Sequence, residues 1–197
     1  MTRSFAIVPA CGHSQRMGRP KLLLPWGGGL VIDAVLSAWL ASSVDEVAIV
    51  VRVDDVALQD RCRRFAVRLV TADSPPDMRA SIELGLDEIE SRCSPTAGDV
   101  WLLAPADIPD LSSASIDVVL QAHDGSNPQI LAATYAGRRG HPALFPWSMA
   151  AEVRALDPSE GVNALMDRRG WRGVETATST KPQDIDTPGE YERHRPQ

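Results

Sequence analysis

The stretch Phe5–Lys21, FAIVPACGHSQRMGRPK, is the segment from which the fold class can best be predicted. Its apolar run Phe5–Val8 stops at Pro9 and predicts a first β-strand. Several of the residues that follow are small or glycine, which lets backbone amides approach a phosphate group closely. Arg16 offers a forked donor for phosphate oxygens, and Lys21 adds a compact positive charge. The segment therefore predicts a phosphate-binding loop directly after a strand.

This loop differs from two common phosphate-binding fingerprints. It lacks the P-loop pattern GxxxxGK[ST], and the next glycine after Gly12 is Gly18, so the dinucleotide pattern GxGxxG is missing as well. The loop therefore lacks the pattern that is most diagnostic of a nicotinamide-dependent oxidoreductase, and this class of enzyme is disfavoured.

Apolar, β-branched runs alternate with stretches of helical period along the chain. Such alternation implies βαβ units, so we predict an α/β fold: a single Rossmann-like, doubly wound, mostly parallel sheet with helices on both faces, in one domain over residues 1–197. Ligands bind beyond the carboxyl ends of strands in such sheets, which directs attention to the segments after residues 8, 104 and 135. The predicted strands are 5–8, 46–51, 67–71, 100–104, 130–135 and 174–177, and the predicted helices are 31–41, 56–65, 79–91, 112–123, 147–156 and 162–168.

Composition and charge limit the classes of function. The 197 residues are 44% hydrophobic and 23% charged, which is ordinary for a globular protein. No apolar run approaches the roughly 20 residues that a spanning helix needs, and the start lacks a secretory signal, so we expect a cytoplasmic protein that does not enter a membrane. The formal net charge of −6 argues against non-specific nucleic-acid binding. The three cysteines show no metal-ligand spacing, so neither a zinc site nor a disulfide scaffold is indicated.

The charge is unevenly distributed along the chain. Residues 1–32 carry four basic and no acidic side chains, whereas residues 33–197 carry 16 basic and 26 acidic ones, a net charge of −10. This distribution predicts an N-terminal pocket for a small polyanion. The alternative is chance clustering on a solvated loop.

The pattern Gly-x-Ser-x-Arg-Met-Gly-x-x-Lys at 12–21 resembles the signature loop of the MobA-like nucleotidyltransferases, and most closely that of the molybdenum cofactor cytidylyltransferases. The resemblance implies that the loop wraps the triphosphate of an NTP and that Arg16 and Lys21 act catalytically by stabilising the departing pyrophosphate. It also implies that the nucleotide is bound by Ala10, Cys11, Gly12 and Ser14. Two roles are open for Cys11, that of a nucleophile and that of a small buried side chain in a tight turn, and the second is favoured.

The segment MRASIELGL at 78–86 is similar to the family's helix after the base-binding loop. The resemblance implies that Arg79 and Ser81 lie near the nucleobase. Without the resemblance, Arg79 is better interpreted as an exposed residue at a helix N-terminus.

Two acidic segments match the family's metal-binding motifs. Asp107 directly follows the predicted strand in LLAPADIP, and Mg²⁺ prefers oxygen ligands shared with substrate phosphates. The alternative for Asp107 is a helix or turn cap before Pro109. The late element Asp-Ile-Asp-Thr-Pro at 184–188 resembles the family's second acidic motif, which implies that Asp186 is the second metal ligand and Asp184 is structural.

The segment GRRGHPALF at 137–145 resembles the Gly-His-Pro segment that faces the acceptor substrate in this family. The resemblance implies that Gly140 and His141 bind the acceptor, where the ring nitrogens of His141 would orient it. Composition alone favours a turn residue for a histidine before proline.

Two departures from the family pattern keep alternatives open. Ala106 precedes Asp107 in a Pro-Ala-Asp-Ile-Pro segment that is partly similar to the guanylyltransferase branch, so both CTP and GTP stay candidates. Asn163 stands where the family often has an arginine, which removes one contact for an acceptor phosphate.

Together, the resemblance implies a Mg²⁺-dependent nucleotidyltransferase. It would transfer a nucleoside monophosphate, with CMP favoured, from an NTP to a phosphorylated acceptor, foremost the molybdenum cofactor, and release pyrophosphate. A molybdoenzyme or its maturation factor would receive the product. The alternatives are the same chemistry with GTP or with a sugar or alcohol phosphate, and a non-catalytic accessory protein that binds nucleotide or cofactor.

Overall fold

The computed structural model describes residues 2–73, 75 and 77–196. Nine strands are β1 (Ser4–Pro9), β2 (Pro25–Trp26), β3 (Gly29–Leu30), β4 (Glu46–Arg52), β5 (Arg68–Ala72), β6 (Val100–Leu103), β7 (Leu131–Tyr135), β8 (Arg138–Pro146) and β9 (Arg172–Glu175) within the described residues. The α-helices in the same part of the chain are α1 (Val31–Leu40), α2 (Val56–Cys62), α3 (Met78–Cys93), α4 (Ser113–Gln121), α5 (Ala150–Arg154), α6 (Asn163–Arg169) and α7 (Pro188–His194).

Seven of these strands form one sheet in the order β5-β4-β1-β6-β8-β7-β9, and β2 and β3 form a separate two-stranded hairpin. The pairings of β1 with β4 and β6, of β4 with β5, and of β7 with β9 are parallel. Strand β8 is antiparallel to both of its neighbours, β6 and β7. The predicted α/β fold with a mostly parallel sheet is confirmed.

Side chains of the central strand point alternately into two apolar layers. Ala6 and Val8 belong to a core cluster that includes residues of α1 and α4, whereas Phe5 and Ile7 belong to a second cluster that includes residues of α3 and α5. This alternation follows from the two-residue period of a strand, and it explains why helices cover both faces of the sheet. The helices on one face pack closely: a Cβ atom added to Gly85 of α3 would lie 2.8 Å from Ile7.

The strand β8 was not predicted. Pro142 lies in its middle and follows a cis peptide bond, and the register against β7 shifts between Ala132 and Thr134. A proline inside an apolar run argues against a strand because it donates no ladder hydrogen bond, so the sequence pattern indicated a turn here. The helix α7 was not predicted either, and the predicted helix 147–156 is replaced by a 3₁₀ turn, Trp147–Met149, and the shorter α5.

The topology brings three segments to one edge of the sheet. Because β1 and β6 are adjacent and parallel, the segments that follow them leave the sheet at the same edge. Because β8 is antiparallel and its Ala143 pairs with Leu103, the last residue of β6, the first half of β8 extends beyond that same edge. In the described part of the chain, no helix combines the length and the apolar character that crossing a bilayer requires.

Candidate active site

The loop after β1 folds back on Ser14. Ser14 adopts the left-handed conformation with φ of 52°, and its carbonyl accepts hydrogen bonds from the amides of Met17 and Gly18 at 3.0 and 3.1 Å. The Ser14 hydroxyl accepts a hydrogen bond from the amide of Lys21 at 3.2 Å. The loop is therefore closed by its own polar groups, which places Arg16 and Lys21 on one compact turn.

The start of the loop is fixed to strand β4. The amide of Ala10 donates to the carbonyl of Val50 at 2.8 Å, and the Cys11 thiol donates to the same carbonyl at 3.3 Å. Arg52 donates through Nη1 to the carbonyls of Cys11 and Gly12 at 3.3 and 3.2 Å. Burial raises the pKa of the Cys11 thiol, so it stays protonated, which argues against a nucleophile.

Four side chains that are far apart in sequence meet beyond the strand ends. Lys21 Nζ lies 2.5 Å from Asp107 Oδ2 and 2.8 Å from Asp186 Oδ1. Arg16 Nη2 lies 2.7 Å from Asp186 Oδ2. The side chains of Lys21, Asp107 and Asp186 are 12%, 19% and 21% exposed, whereas that of Arg16 is 72% exposed. The structure thus places Lys21 against both predicted metal ligands and Arg16 against Asp186.

The opposite charges in this cluster stabilise the ionised forms of their neighbours. Burial alone would lower the pKa of the Lys21 ammonium, but the carboxylates of Asp107 and Asp186 outweigh it and raise that pKa. Burial alone would raise the pKa of Asp186, but Lys21 and Arg16 outweigh it and lower that pKa. Lys21 and Asp186 are therefore charged at neutral pH.

Backbone hydrogen bonds and a helix cap bring Asp186 to Asp107. The amide of Ile185 donates to the carbonyl of Asp107 at 3.0 Å. Glu190 Oε2 accepts hydrogen bonds from the amides of Asp186 and Thr187 at 3.1 and 2.8 Å, and Thr187 in turn caps the first turn of α7. The capping box of α7 therefore fixes the backbone that carries Asp186.

The two carboxylates fit a divalent cation. Asp107 Oδ1 is buried without a hydrogen-bond partner, and the other Asp107 oxygen and one Asp186 oxygen contact the same nitrogen atom. A buried, unpaired carboxylate oxygen calls for a ligand, since such groups are normally satisfied. No group of three or more His, Cys, Asp or Glu side chains with metal-binding geometry occurs within residues 2–73, 75 and 77–196. Two carboxylates with substrate phosphates and water are the environment that Mg²⁺ commonly takes.

Several cavities lie at and around the cluster, and one of them is lined by Arg16, Lys21 and Asp186. The loop cavity, of about 290 Å³, is lined by Cys11, Gly12, Asp77 and Ser81 among others. The carboxylate cavity, of about 370 Å³, is lined by residues that include Lys21, Asp107, His141, Lys181 and Asp186. The strand cavity, of about 410 Å³, is lined by residues of α3, β8 and α6 and by Lys181.

Arg79 and Ser81, both expected near the nucleobase, face different cavities. Ser81 lines the loop cavity, and its hydroxyl donates to the carbonyl of Asp77 at 3.3 Å. Arg79 lines the strand cavity, and its Nη1 donates to the carbonyls of Leu156 and Asp157 at 2.9 and 2.7 Å. The two residues expected near the nucleobase therefore line different cavities.

Gly140 and His141 lie in β8 at the junction of the carboxylate and strand cavities. A Cβ atom at Gly140 would lie 2.7 Å from the ring of Tyr135, whose hydroxyl donates to the His141 carbonyl at 2.7 Å. His141 Nδ1 lies 3.4 Å from the carbonyl of Leu103, and burial lowers the pKa of the imidazole, which keeps it neutral. With Nδ1 donating to that carbonyl, the other ring nitrogen, Nε2, is an acceptor.

Sequence reasoning missed three residues at the site. Arg52 holds the loop, whereas Arg139 and Lys181 line the strand cavity. The sequence contains one signal for Lys181, which is the rarity of lysine: the chain has 18 arginines and two lysines. Both lysines, Lys21 and Lys181, line the carboxylate cavity.

The chain is similar to several known proteins. Residues 6–174 match the model of the MobA-like NTP transferase domain. The chain is 27% identical to the purine catabolism protein PucB of Bacillus subtilis (strain 168), across 97% of this chain and 95% of that protein. It is 29% identical to a probable molybdenum cofactor guanylyltransferase of Bacillus cereus (strain G9842), across 61% of this chain and 57% of that protein.

The fold is also similar to that of a solved structure. Rv0371c from Mycobacterium tuberculosis H37Rv matches with a TM-score of 0.82 and 24% identity, over 98% of this chain and 97% of that one. The structure of Rv0371c in complex with manganese matches with a TM-score of 0.78 and 23% identity, over the same shares of the two chains. At these identities the likeness establishes the fold.

Proposed function

This chain belongs to the MobA-like NTP transferase family, and we propose that it transfers a nucleoside monophosphate from an NTP to a phosphorylated acceptor and releases pyrophosphate. The single observation that supports this reaction best is the contact of Lys21 with both Asp107 and Asp186, beside Arg16. This cluster combines two cations for a triphosphate with two carboxylates for a divalent metal.

The proposed reaction is an in-line displacement. An oxygen of the acceptor's phosphate attacks the α-phosphorus of the NTP and forms a phosphoanhydride bond. The bond from the α-phosphorus to the oxygen that bridges to the β-phosphate breaks, and its electron pair leaves with pyrophosphate. A phosphate dianion needs no deprotonation to attack, so the protein's part is positioning and charge stabilisation.

The roles follow the position of each charge. Arg16 and Lys21 stabilise the negative charge of the departing pyrophosphate. The loop from Ala10 to Ser14 contacts the triphosphate through amides other than that of Ala10, which donates to the Val50 carbonyl. Asp107 and Asp186 would hold Mg²⁺, which supplies Lewis-acid stabilisation of phosphoryl oxygens when it is bound. The manganese complex of Rv0371c supports a divalent metal in this fold.

The finer assignment is CTP as donor and the molybdenum cofactor as acceptor, with Gly140 and His141 on the acceptor side. The resemblance of the loop at 12–21 supports it. The guanylyltransferase among the relatives supports GTP as the alternative donor, and sugar or alcohol phosphates are the alternative acceptors. A molybdoenzyme or its maturation factor is the proposed recipient of the product.

A second candidate function is a nucleotide- or cofactor-binding accessory protein without turnover. Asn163 favours it, because this residue lines the strand cavity where the family pattern often has an arginine. Such a protein would bind an NTP and release no pyrophosphate with any acceptor.

The test is pyrophosphate release from CTP, GTP, ATP and UTP with Mg²⁺ and freshly prepared molybdenum cofactor, with the acceptor omitted as the blank. Acceptor-dependent release from one nucleotide is expected. If no pyrophosphate is released with the molybdenum cofactor or with a panel of sugar and alcohol phosphates, while NTP binding persists in calorimetry, the transferase proposal is wrong and the binding protein is favoured.

The variant Asp107→Ala is predicted to lose at least about 10³-fold in kcat while the thermal transition stays cooperative, because it removes a carboxylate that contacts the reaction centre. The matched control is Asp60→Ala, whose carboxylate is exposed on α2 and pairs with Arg63 at 2.6 Å. The control is expected to keep activity within about twofold. Unchanged pyrophosphate release from the Asp107 variant contradicts the metal assignment.

A further inference from the structure

The charged side chains that line the strand cavity are cationic, although the chain as a whole is acidic. Of the residues that line it, three are cationic, Arg79, Arg139 and Lys181, and none is Asp or Glu. The whole chain, by contrast, has a formal net charge of −6. Arg79 is engaged with two backbone carbonyls and pairs with Glu83 at 3.3 Å, so Arg139 and Lys181 are the candidates among these cations for contact with a ligand.

Arg139 is held by neighbours that are not acidic. Its Nη2 lies 3.4 Å from Asn163 Oδ1, its Nη1 lies 3.9 Å from Met166 Sδ, and its guanidinium lies 5.6 Å from the ring centre of Trp171. These contacts orient the guanidinium without neutralising it, so its forked donors are available to an anion.

Lys181 connects the strand cavity to the reaction centre. It lines the strand cavity with Arg139 and the carboxylate cavity with Asp107 and Asp186. Its side chain also packs near β8, because a Cβ atom at Gly140 would lie 3.6 Å from Lys181 Cε. An anion bound by Lys181 therefore lies between the strand cavity and the two carboxylates.

We propose that Lys181 and Arg139 form the acceptor's anion site: Lys181 binds the phosphate that attacks, and Arg139 binds a second polar or anionic group of the same molecule. The body of the acceptor lies between them, against Ile82, Leu103 and Phe145, which line the cavity. The acceptor class is thus a phosphate monoester with an apolar, ring-bearing body. The identification of the bound molecule as the acceptor rests on the proposed function. The anion site itself is tested without turnover.

The first test uses the fact that the chain has two lysines. The metal-free protein is acetylated at pH 8, and the labelling of Lys21, Lys181 and the N-terminal amine is followed by mass spectrometry. Phenyl phosphate is expected to slow acetylation of Lys181 at least about fivefold, and glycerol phosphate to slow it less because it has no ring. The N-terminal amine is the internal reference. Equal labelling of Lys181 with and without phenyl phosphate overturns the proposal.

Two variants make this test specific. The probe for Arg139 is 4-carboxyphenyl phosphate, which adds a second anionic group to the ring and is expected to protect Lys181 more strongly than phenyl phosphate does. In Arg139→Gln this extra protection is expected to be lost, and in Arg139→Lys it is expected to be partly retained. The two variants should show the same thermal transition as the parent within a few degrees. Undiminished extra protection in a folded Arg139→Gln protein contradicts the role of Arg139.

The second test is kinetic and uses the acceptor that supports pyrophosphate release. Lys181→Met is expected to raise the acceptor KM about 10–100-fold and to change the NTP KM less than twofold. Lys181→Arg should recover much of this loss. An unchanged acceptor KM in Lys181→Met overturns the proposal. Protection in the labelling test without any pyrophosphate release would keep the anion site and reject the transferase.

Discussion

Asp186 is contacted by two cations of the loop, Arg16 and Lys21, which differ in their surroundings. Lys21 is 12% exposed and contacts two carboxylates, so it is fixed in place. Arg16 is 72% exposed and contacts Asp186 alone. A salt bridge of so exposed an arginine contributes little to stability. We infer that Arg16 serves the triphosphate and that Lys21 serves both the substrate and the folded site.

The variant Arg16→Gln tests this division. We expect kcat for pyrophosphate release to fall about 100-fold, because a donor to the developing charge is lost. The free energy of unfolding in urea is expected to change by less than about 0.5 kcal/mol. Arg19→Gln is the control, since Arg19 is exposed on the same loop and packs 5.6 Å from the ring centre of Tyr191. If Arg16→Gln and Arg19→Gln have equal kcat, the role of Arg16 is wrong.

Among the elements, α7 has the most direct influence on the site. Its capping box joins Thr187 and Glu190, and Glu190 also accepts from the amide of Asp186. The hydroxyl of Tyr191 donates to the carbonyl of Pro25 at 2.7 Å and fastens the helix to the N-terminal part of the chain. The position of Asp186 thus depends on a cap and a tyrosine that make no contact with Asp107.

We predict that Thr187→Ala lowers the free energy of unfolding by about 1 kcal/mol, because it removes the N-cap oxygen that accepts from the Glu190 amide. The concentration of Mg²⁺ that gives half-maximal activity is expected to rise several-fold, since Asp186 is less well held, and excess Mg²⁺ should restore most of the rate. Thr187→Ser retains the hydroxyl and is the control. A wild-type response to Mg²⁺ in Thr187→Ala would show that the cap does not position Asp186.

The starts of β1 and β6 are joined by Asp99. Its carboxylate accepts hydrogen bonds from the amide and guanidinium of Arg3, both at 2.8 Å, and from the amide of Thr96 at 2.7 Å. Burial alone would raise the pKa of Asp99, but these bonds outweigh it and lower the pKa to about 2. A lowered pKa means that the ionised carboxylate stabilises the fold above about pH 4 and that this stability is lost as the pH falls toward 2.

For Asp99→Asn we expect a loss of about 2 kcal/mol in the free energy of unfolding at pH 7. Because the native pKa is about 2, the difference between the variant and the parent should shrink by about half at pH 3. Urea unfolding at both pH values measures this difference, and Asp60→Asn is the exposed control. A difference that is the same at pH 7 and pH 3 would contradict the assignment to Asp99.

The elements differ in how well sequence predicts them. The strand β1 and the helix α3 were predicted to within two residues at each end, because the spacing of their apolar residues is regular. The strand β8 was missed because Pro142 interrupts it, and β8 is the element that presents Arg139 and His141. The rule that ligands bind beyond the carboxyl ends of strands directed attention to the segments that carry Lys21 and Asp107. The meeting of Lys181 with Arg139 depends on cavity shape, and no local pattern predicts it.

At the scale of the whole molecule, the cations of the cleft form two pairs. Arg16 and Lys21 line a cavity on the side of the loop, and Arg139 and Lys181 line the strand cavity. The chain as a whole is acidic, and these four cations are the ones that we assign to anionic substrates. In the proposed reaction two anionic substrates meet at the carboxylates, and each is bound by its own pair of cations.

This arrangement predicts how the whole fold responds to ligand. At 100 times its Kd, a ligand that binds only the native state stabilises it by about 2.7 kcal/mol, which for a chain of this size raises Tm by about 5–10 °C. We expect CTP with Mg²⁺ to give such a rise without any acceptor, and GTP at the same concentration to give a smaller one. In Asp107→Ala the part of the rise that depends on Mg²⁺ should disappear, whereas Asp60→Ala should respond like the parent. Equal rises for CTP and GTP would contradict the proposed preference for CTP, and a full Mg²⁺-dependent rise in Asp107→Ala would place the metal elsewhere.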